Sequence, residues 1–461
     1  MDAAPTYTDD FARFITASPS SYHAIAEVAR QLAEAGFVQL LETDEWPAGA
    51  GSSPTAERGA AAEAAGVSAG PAGAASGAGF YVIRDGALIA WFVPAAAGPT
   101  SPFRIVGAHT DSPGFKLKPK PTIGAYGWLQ AGVEVYGGPL VNSWLDRELE
   151  FAGRIVTRGG DEHLVRTGPF ARIPQLAIHL DRDANNGLTL DRQRHTSPVF
   201  GVGDLAHTDL VDHLAGLAGV TGLTGADVAG YDILTADTAA PQRFGLDGAL
   251  FAAGRMDNLT SVFAGLRALL EVAGAAEGSG APAPTISVLA AFDHEELGSQ
   301  SRSGASGPLL DDVLTRISAG LGATTEQRLR AYAGSWCLSA DAGHGVHPNY
   351  PEKHDPANRP VLGGGPLLKI NANQRYATDA PGAGLWAAAC AQAGVAYQEF
   401  VSNNDVPCGS TIGPLTATRL GIRTVDVGTP LLSMHSAREL AHVDDLPALA
   451  AAAAAFFAPA A

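Results

Sequence analysis

The apolar run Ile286-Ser287-Val288-Leu289-Ala290-Ala291-Phe292 ends abruptly in Asp293-His294-Glu295-Glu296. The run reads as a buried strand, so four ionisable residues stand together at a strand's end. Consecutive carboxylates there desolvate and repel one another, and a fold gains no core stability from them. A cation is the simplest compensation. Two adjacent carboxylates also allow one to bind the ion while the other works as a base. The alternative is a solvated turn leading from strand to loop.

The neighbouring segments have the rhythm that would give such a strand end a purpose. Phe103-Arg104-Ile105-Val106-Gly107-Ala108 is another buried strand and delivers His109-Thr110-Asp111. Ser335 to Ala340 is a third and ends at Asp341. Phe80–Ile83 and Leu88–Val93 flank Asp85-Gly86, a hairpin signal. Leu259, Val262, Phe263, Leu266, Leu269 and Leu270 make a helical apolar face. A further helix near 384–393 and a strand at 423–428 follow. Tyr22, Ile25, Val28, Ala29 and Leu32 place a helix near the start, with Ser20 or Ser21 as its cap. Strands alternating with helices predict an α/β fold with a mixed central sheet flanked by helices, its functional groups collected at the carboxyl ends of the strands.

Between these parts the chain changes character. From about residue 112 to 248 it is punctuated by Gly and Pro and alternates like Leu149–Val156, which predicts an inserted β-rich domain. The expected organisation is a first α/β segment over 1–111, the insertion over 112–248, and a second α/β segment over 249–461. Residues 48–79 are rich in Ala, Gly and Ser and read as a surface loop.

His109, Asp257, Glu296 and Asp341 stand at strand ends or loops, and His435 follows a loop late in the chain. Two histidines and three carboxylates suit zinc, cobalt or manganese better than a sulfur-rich structural site does. With one carboxylate bridging, each of two ions would receive a histidine and a terminal carboxylate. Asp111 can accept the second N–H of His109. Each residue has a plainer reading. His109-Thr110-Asp111 can be a polar loop and Asp257 an N-cap for a helix from Asn258. His435 can be a surface imidazole beside the charged Arg438 and Glu439.

The chemistry excludes other classes. The net charge of -17, with 47 acidic residues against 30 basic ones, argues against nucleic-acid binding. No apolar stretch reaches membrane-spanning length, and no basic-then-apolar leader opens the chain. Cys337, Cys390 and Cys408 show no metal-finger spacing and imply a reducing, cytoplasmic setting.

Taken in order, Ala108-His109-Thr110-Asp111-Ser112-Pro113, Arg255-Met256-Asp257-Asn258-Leu259, Asp293 to Ser299, Ser339-Ala340-Asp341 with His344 and His347 to Tyr350, Lys369-Ile370-Asn371 with Gln374 to Ala377, and Met434 to Glu439 resemble the aspartyl aminopeptidases of metallopeptidase family M18. The resemblance spans nearly the whole chain. It implies a dinuclear zinc enzyme that removes N-terminal Asp or Glu from peptides with metal-activated water. Asp257 would bridge two ions, His109 and Asp341 would complete one set, and Glu296 and His435 the other. Glu295 would be the general base. Lys369 would anchor the acidic side chain, with Tyr376 and His344 nearby. The segment Leu176–Leu180 has strand-like apolar spacing, on which His179 reads as a core or interface histidine. The resemblance implies instead that His179 reaches a neighbouring subunit's active site, within dimers that build a tetrahedral dodecamer. Gly114 departs from the family, which commonly has cysteine there. Two rivals remain: a related aminopeptidase with another side-chain preference, and a noncatalytic assembly protein.

Overall fold

The computed structural model describes residues 6–46, 77–275 and 284–459. The chain divides into two compact units. One comprises Met1–Ala24, Asp111–Leu259 and Leu431–Ala441, and the other Ile25–Thr110, Thr260–Pro430 and His442–Ala461.

The second unit is built on a nine-stranded mixed sheet. Its order is Val38–Gln39, Gly77–Arg84, Ala87–Pro94, Ile286–Phe292, Phe103–His109, Trp336–Ala340, Arg423–Gly428, Leu367–Ile370 and Gln398–Val401. The four strands from Ile286–Phe292 to Arg423–Gly428 run parallel. All seven residues of Ile286–Phe292 are buried, and six of them are apolar, as a strand covered on both faces requires. Helices Ala380–Ala393 and Ile412–Leu420 pack on strand Arg423–Gly428. Helix Met256–Ala275 passes the sheet at Gly265, where a Cβ would stand 2.7 Å from Leu289 Cδ1. Glycine is what permits that approach. The result is the predicted α/β class, a mixed sheet flanked by helices.

The predicted loop at 48–79 falls outside the described residues over 48–76. Its last three residues are corrected: Gly77, Ala78 and Gly79 open a strand, paired with Pro94, Val93 and Phe92. The glycine at 79 is needed there, since a Cβ would meet the Phe37 ring at 2.6 Å.

The first unit carries a six-stranded antiparallel sheet in the order Glu162–Arg166, Leu149–Thr157, Val228–Asp237, Gly114–Ala125, Trp128–Tyr136 and Val199–Val202. Its core gathers Phe115, Trp144, Phe151 and Ile233 under Leu210 and Leu214. The strand-like reading of Leu176–Leu180 is overturned. Residues 174–198 hold no strand, and Leu180 N–H closes a turn on Ala177 O at 2.8 Å. Leu176, Ile178 and Leu180 are 56%, 46% and 75% exposed, and His179 is exposed with them. Alternation needs a partner strand to bury one face, and here none pairs with it. No helix among the described residues is long and apolar enough to cross a membrane.

Candidate metal centre

Register brings the first group of candidates together. In the nine-stranded sheet, Phe292 pairs with His109, and Gly107 pairs with Ser339 on the other side. His109 therefore ends the strand lying between the one that leads to Glu295 and Glu296 and the one that leads to Asp341. His109 Nε2 lies 3.4 Å from Asp341 Oδ1, both side chains being buried. A ring nitrogen of His109 and a carboxylate oxygen of Glu296 lie within 4.8 Å of each other.

The four ionisable residues after Phe292 divide their work. Asp293 is buried and takes the backbone N–H of His294 at 3.0 Å. His294 has a left-handed backbone, and its Nδ1 shares a hydrogen bond with Ser301 Oγ at 2.9 Å. The carbonyl of His294 accepts from Ser299 N at 2.9 Å. Together they hold a tight turn and a short helical segment, Glu295–Leu297, in which both glutamates are half-buried.

Lys369 is 1% exposed, so it is not a solvated surface lysine. Its Nζ donates to Ala342 O at 2.7 Å and stands 3.6 Å from Asp341 Oδ2. The Tyr376 ring lies 5.3 Å from the ammonium. Phe400 meets the rings of both Tyr376 and His344 edge-on, and His344 is exposed. Burial, and then the neighbouring Cys408, raise the Tyr376 phenol well above its usual value.

The second group lies in the unit of the six-stranded sheet. His435 Nε2 is 3.4 Å from Asp257 Oδ2. A carbonyl oxygen can only accept, so His435 Nδ1, at 2.9 Å from Gly138 O, carries the proton and Nε2 the lone pair. Asp257 has non-helical backbone angles at the head of helix Met256–Ala275, and Ser112 Oγ donates to its carbonyl at 2.8 Å. Its carboxylate faces the imidazole of His435. The side chain of His435 itself is 32% exposed. Its neighbour Glu439 is 2% exposed and Arg438 only half-buried, with the Glu439 carboxylate accepting the backbone N–H of Asp257 and of His435, each at 3.0 Å. Burial, and next the charge of Asp257, push the Glu439 carboxyl up, while those two N–H groups pull it down. Asp111 is buried and receives the Tyr136 hydroxyl at 2.9 Å.

The two histidine–carboxylate pairs fit a zinc ion. Zinc holds nitrogen and oxygen at about 2.0–2.2 Å, so two donors on one tetrahedral ion stand roughly 3.3–3.5 Å apart. A hydrogen bond between the same atoms would close to about 2.7–2.9 Å. Both pairs stand at 3.4 Å.

The pattern of the M18 family, aminopeptidase I zinc metalloproteases, matches residues 72–457. The chain belongs to this family. It is 51% identical over 455 residues to a probable M18 family aminopeptidase 2 of Streptomyces coelicolor, covering 98% of each chain. Among solved structures, the Ape4 of an Ape4–Nbr1 complex aligns with a TM-score of 0.85 at 32% identity, over 97% of this chain and 85% of that one. A dodecamer of mApe1 from S. cerevisiae aligns with a TM-score of 0.79 at 28% identity, over 97% and 96%. Family membership and a cluster able to hold a metal ion together make zinc-dependent aminopeptidase the activity class of this M18 chain.

Glu439 is the residue that the motifs contain and sequence reasoning left without a role. The available signal was a carboxylate inside Glu439-Leu440-Ala441-His442, a strand whose first and third residues are buried.

Proposed function

We propose that this M18 protein is a dinuclear zinc aminopeptidase that releases N-terminal Asp or Glu. The observation that carries the reading is the pair of 3.4 Å contacts, His109 with Asp341 and His435 with Asp257. Two such pairs supply a histidine and a carboxylate twice over, as two ions require. His109 and Asp341 would hold one ion, Glu296 and His435 the other, and Asp257 would be shared. When bound, the ions supply Lewis acidity to the scissile carbonyl and lower the pKa of water. Glu295, adjacent to a ligand without being one, takes a proton from the attacking water and returns it to the leaving amide nitrogen. Asp111 orients His109 through the ring's second nitrogen.

Lys369, Tyr376 and His344 are proposed to receive the substrate's acidic side chain. An ammonium has three donors, and Ala342 O takes one of them. A second reading keeps the hydrolase and drops the acidic preference. It is favoured by the burial of Lys369 against Asp341, which suits a lysine that neutralises a metal ligand. Hydrolysis of Asp-, Glu-, Ala- and Leu-terminated substrates, measured together with zinc content, separates the two. Two zinc ions with acidic preference support the first reading, and two zinc ions with equal turnover support the second. Absence of both zinc and turnover would leave a noncatalytic assembly protein.

The remaining proposals concern setting and assembly. His179, on its exposed turn, would serve a neighbouring subunit in a dimer, and dimers would associate as in the mApe1 dodecamer. The antiparallel unit would then be the dimerisation domain. Three thiols with no disulfide suit a cytoplasmic setting.

A further inference from the structure

We infer that Glu439 is a positioning residue, whose one carboxylate fixes the backbones that present Asp257 and His435. Its Oε2 accepts the N–H of Asp257 and its Oε1 the N–H of His435, both at 3.0 Å. The inference rests on the proposed ligand set and adds to it the element that holds two ligands in register.

The need for such an element follows from where the two residues sit. Asp257 is at the irregular head of a helix, with φ -83° and ψ 101°. His435 is in a loop far along the chain and has a left-handed backbone, φ 65°. Neither belongs to a strand that would fix its direction, whereas His109 ends a strand paired on both sides. The side chain of His435 is oriented by Gly138 O, which sets the ring but not the backbone that carries it. Glu439 opens strand Glu439–His442, four residues after His435, and so is itself held by regular structure. Each of its oxygens is engaged by a ligand's own amide, which makes it a brace and not a further ligand. A small cavity bordered by Asp257, His435 and Glu439 lies beside this brace.

Outer partners of metal ligands tune affinity by about 10–100-fold when removed. Glu439→Gln is the informative change, because it keeps size and burial. Its amide presents one acceptor oxygen and one NH2, so one of the two backbone N–H groups meets a donor. The experiment titrates full-length wild type and E439Q with zinc against a competing chelator. Cobalt(II) spectra and the melting temperature of both metal-free proteins in EDTA accompany it. The expected result is a zinc dissociation constant weakened about 10–100-fold for the ion held by His435, with an altered cobalt spectrum. The metal-free melting temperatures should stay close together. Equal zinc affinities and equal cobalt spectra overturn the inference. A metal-free E439Q that melts far below wild type, with normal zinc affinity in its folded fraction, overturns it too and leaves a purely structural role. Wild type that binds no zinc counts against the ligand set itself, a failure seen before any variant is compared.

Discussion

Lys369 Nζ stands 3.6 Å from Asp341 Oδ2, while the other oxygen of the same carboxylate faces His109 Nε2 at 3.4 Å. One buried aspartate thus ties the single buried lysine of this region to a histidine proposed as a metal ligand. A charge here acts on two things at once, the electron-donating power of Asp341 and the field felt by an incoming side chain.

Replacing Lys369 distinguishes these effects. Lys369→Met keeps the apolar stem, which Gly343 makes room for: a Cβ at 343 would lie 3.3 Å from Lys369 Cε. If the ammonium reads substrate, kcat/KM for Asp and Glu substrates should fall by about tenfold or more relative to Ala and Leu, a charge-assisted pair being worth at least about 1.5 kcal/mol. Parallel losses on all four substrates, with weakened zinc binding, would assign Lys369 to Asp341 alone.

The adjacent glutamates should fail differently. Glu295→Gln removes the proton carrier and should lower kcat by about 10²–10⁴-fold with zinc retained. Glu296→Ala should lose zinc as well as turnover. Zinc analysis of both purified variants decides, and loss of zinc from Glu295→Gln would make Glu295 a ligand.

How far the chain could be read from its sequence depends on what each signal reports. The strands ending at His109, Phe292 and Ala340 were legible because parallel strands covered on both faces appear as nearly continuous apolar runs, interrupted here, apart from the terminal His109, only by Arg104, Ser287 and Ser339. Their carboxyl ends then had to carry the chemistry. Leu176–Leu180 misled because alternation states which residues share a face but not whether a partner strand exists. The burial of Lys369 was invisible, since the groups that meet its ammonium, Asp341 and Ala342 O, belong to another strand's end, Ala342 being 27 residues earlier. The brace at Glu439 was hidden for a similar reason: its partner Asp257 is 182 residues distant.

The exposed turn around His179 gives the shared-site proposal a direct test. His179→Ala should sharply lower kcat while zinc content stays normal. Mixing it with inactive Glu295→Gln subunits should restore activity, because mixed dimers pair an intact Glu295 with an intact His179. Unchanged turnover in His179→Ala alone would remove the residue from the mechanism.

A stability effect is expected from His23, in helix Ser21–Glu34. Its Nδ1 shares a hydrogen bond with Ser20 Oγ at 2.8 Å. Burial holds its pKa down at about 4, with the charges of Arg166 and Arg255 adding to the effect. The folded chain therefore keeps the imidazole neutral where the unfolded chain, titrating near 6.5, takes up a proton. That contribution is complete above pH 6.5 and is lost as pH falls toward 4, amounting at most to about 3 kcal/mol at about 1.4 kcal/mol per pKa unit. Acid also protonates metal ligands, so the comparison belongs to metal-free protein in EDTA. Between pH 7.5 and 4.5, the melting temperature of wild type should fall more steeply than that of His23→Gln, whose amide does not titrate. Parallel curves would show that His23 is protonated in the folded chain as readily as in the unfolded one.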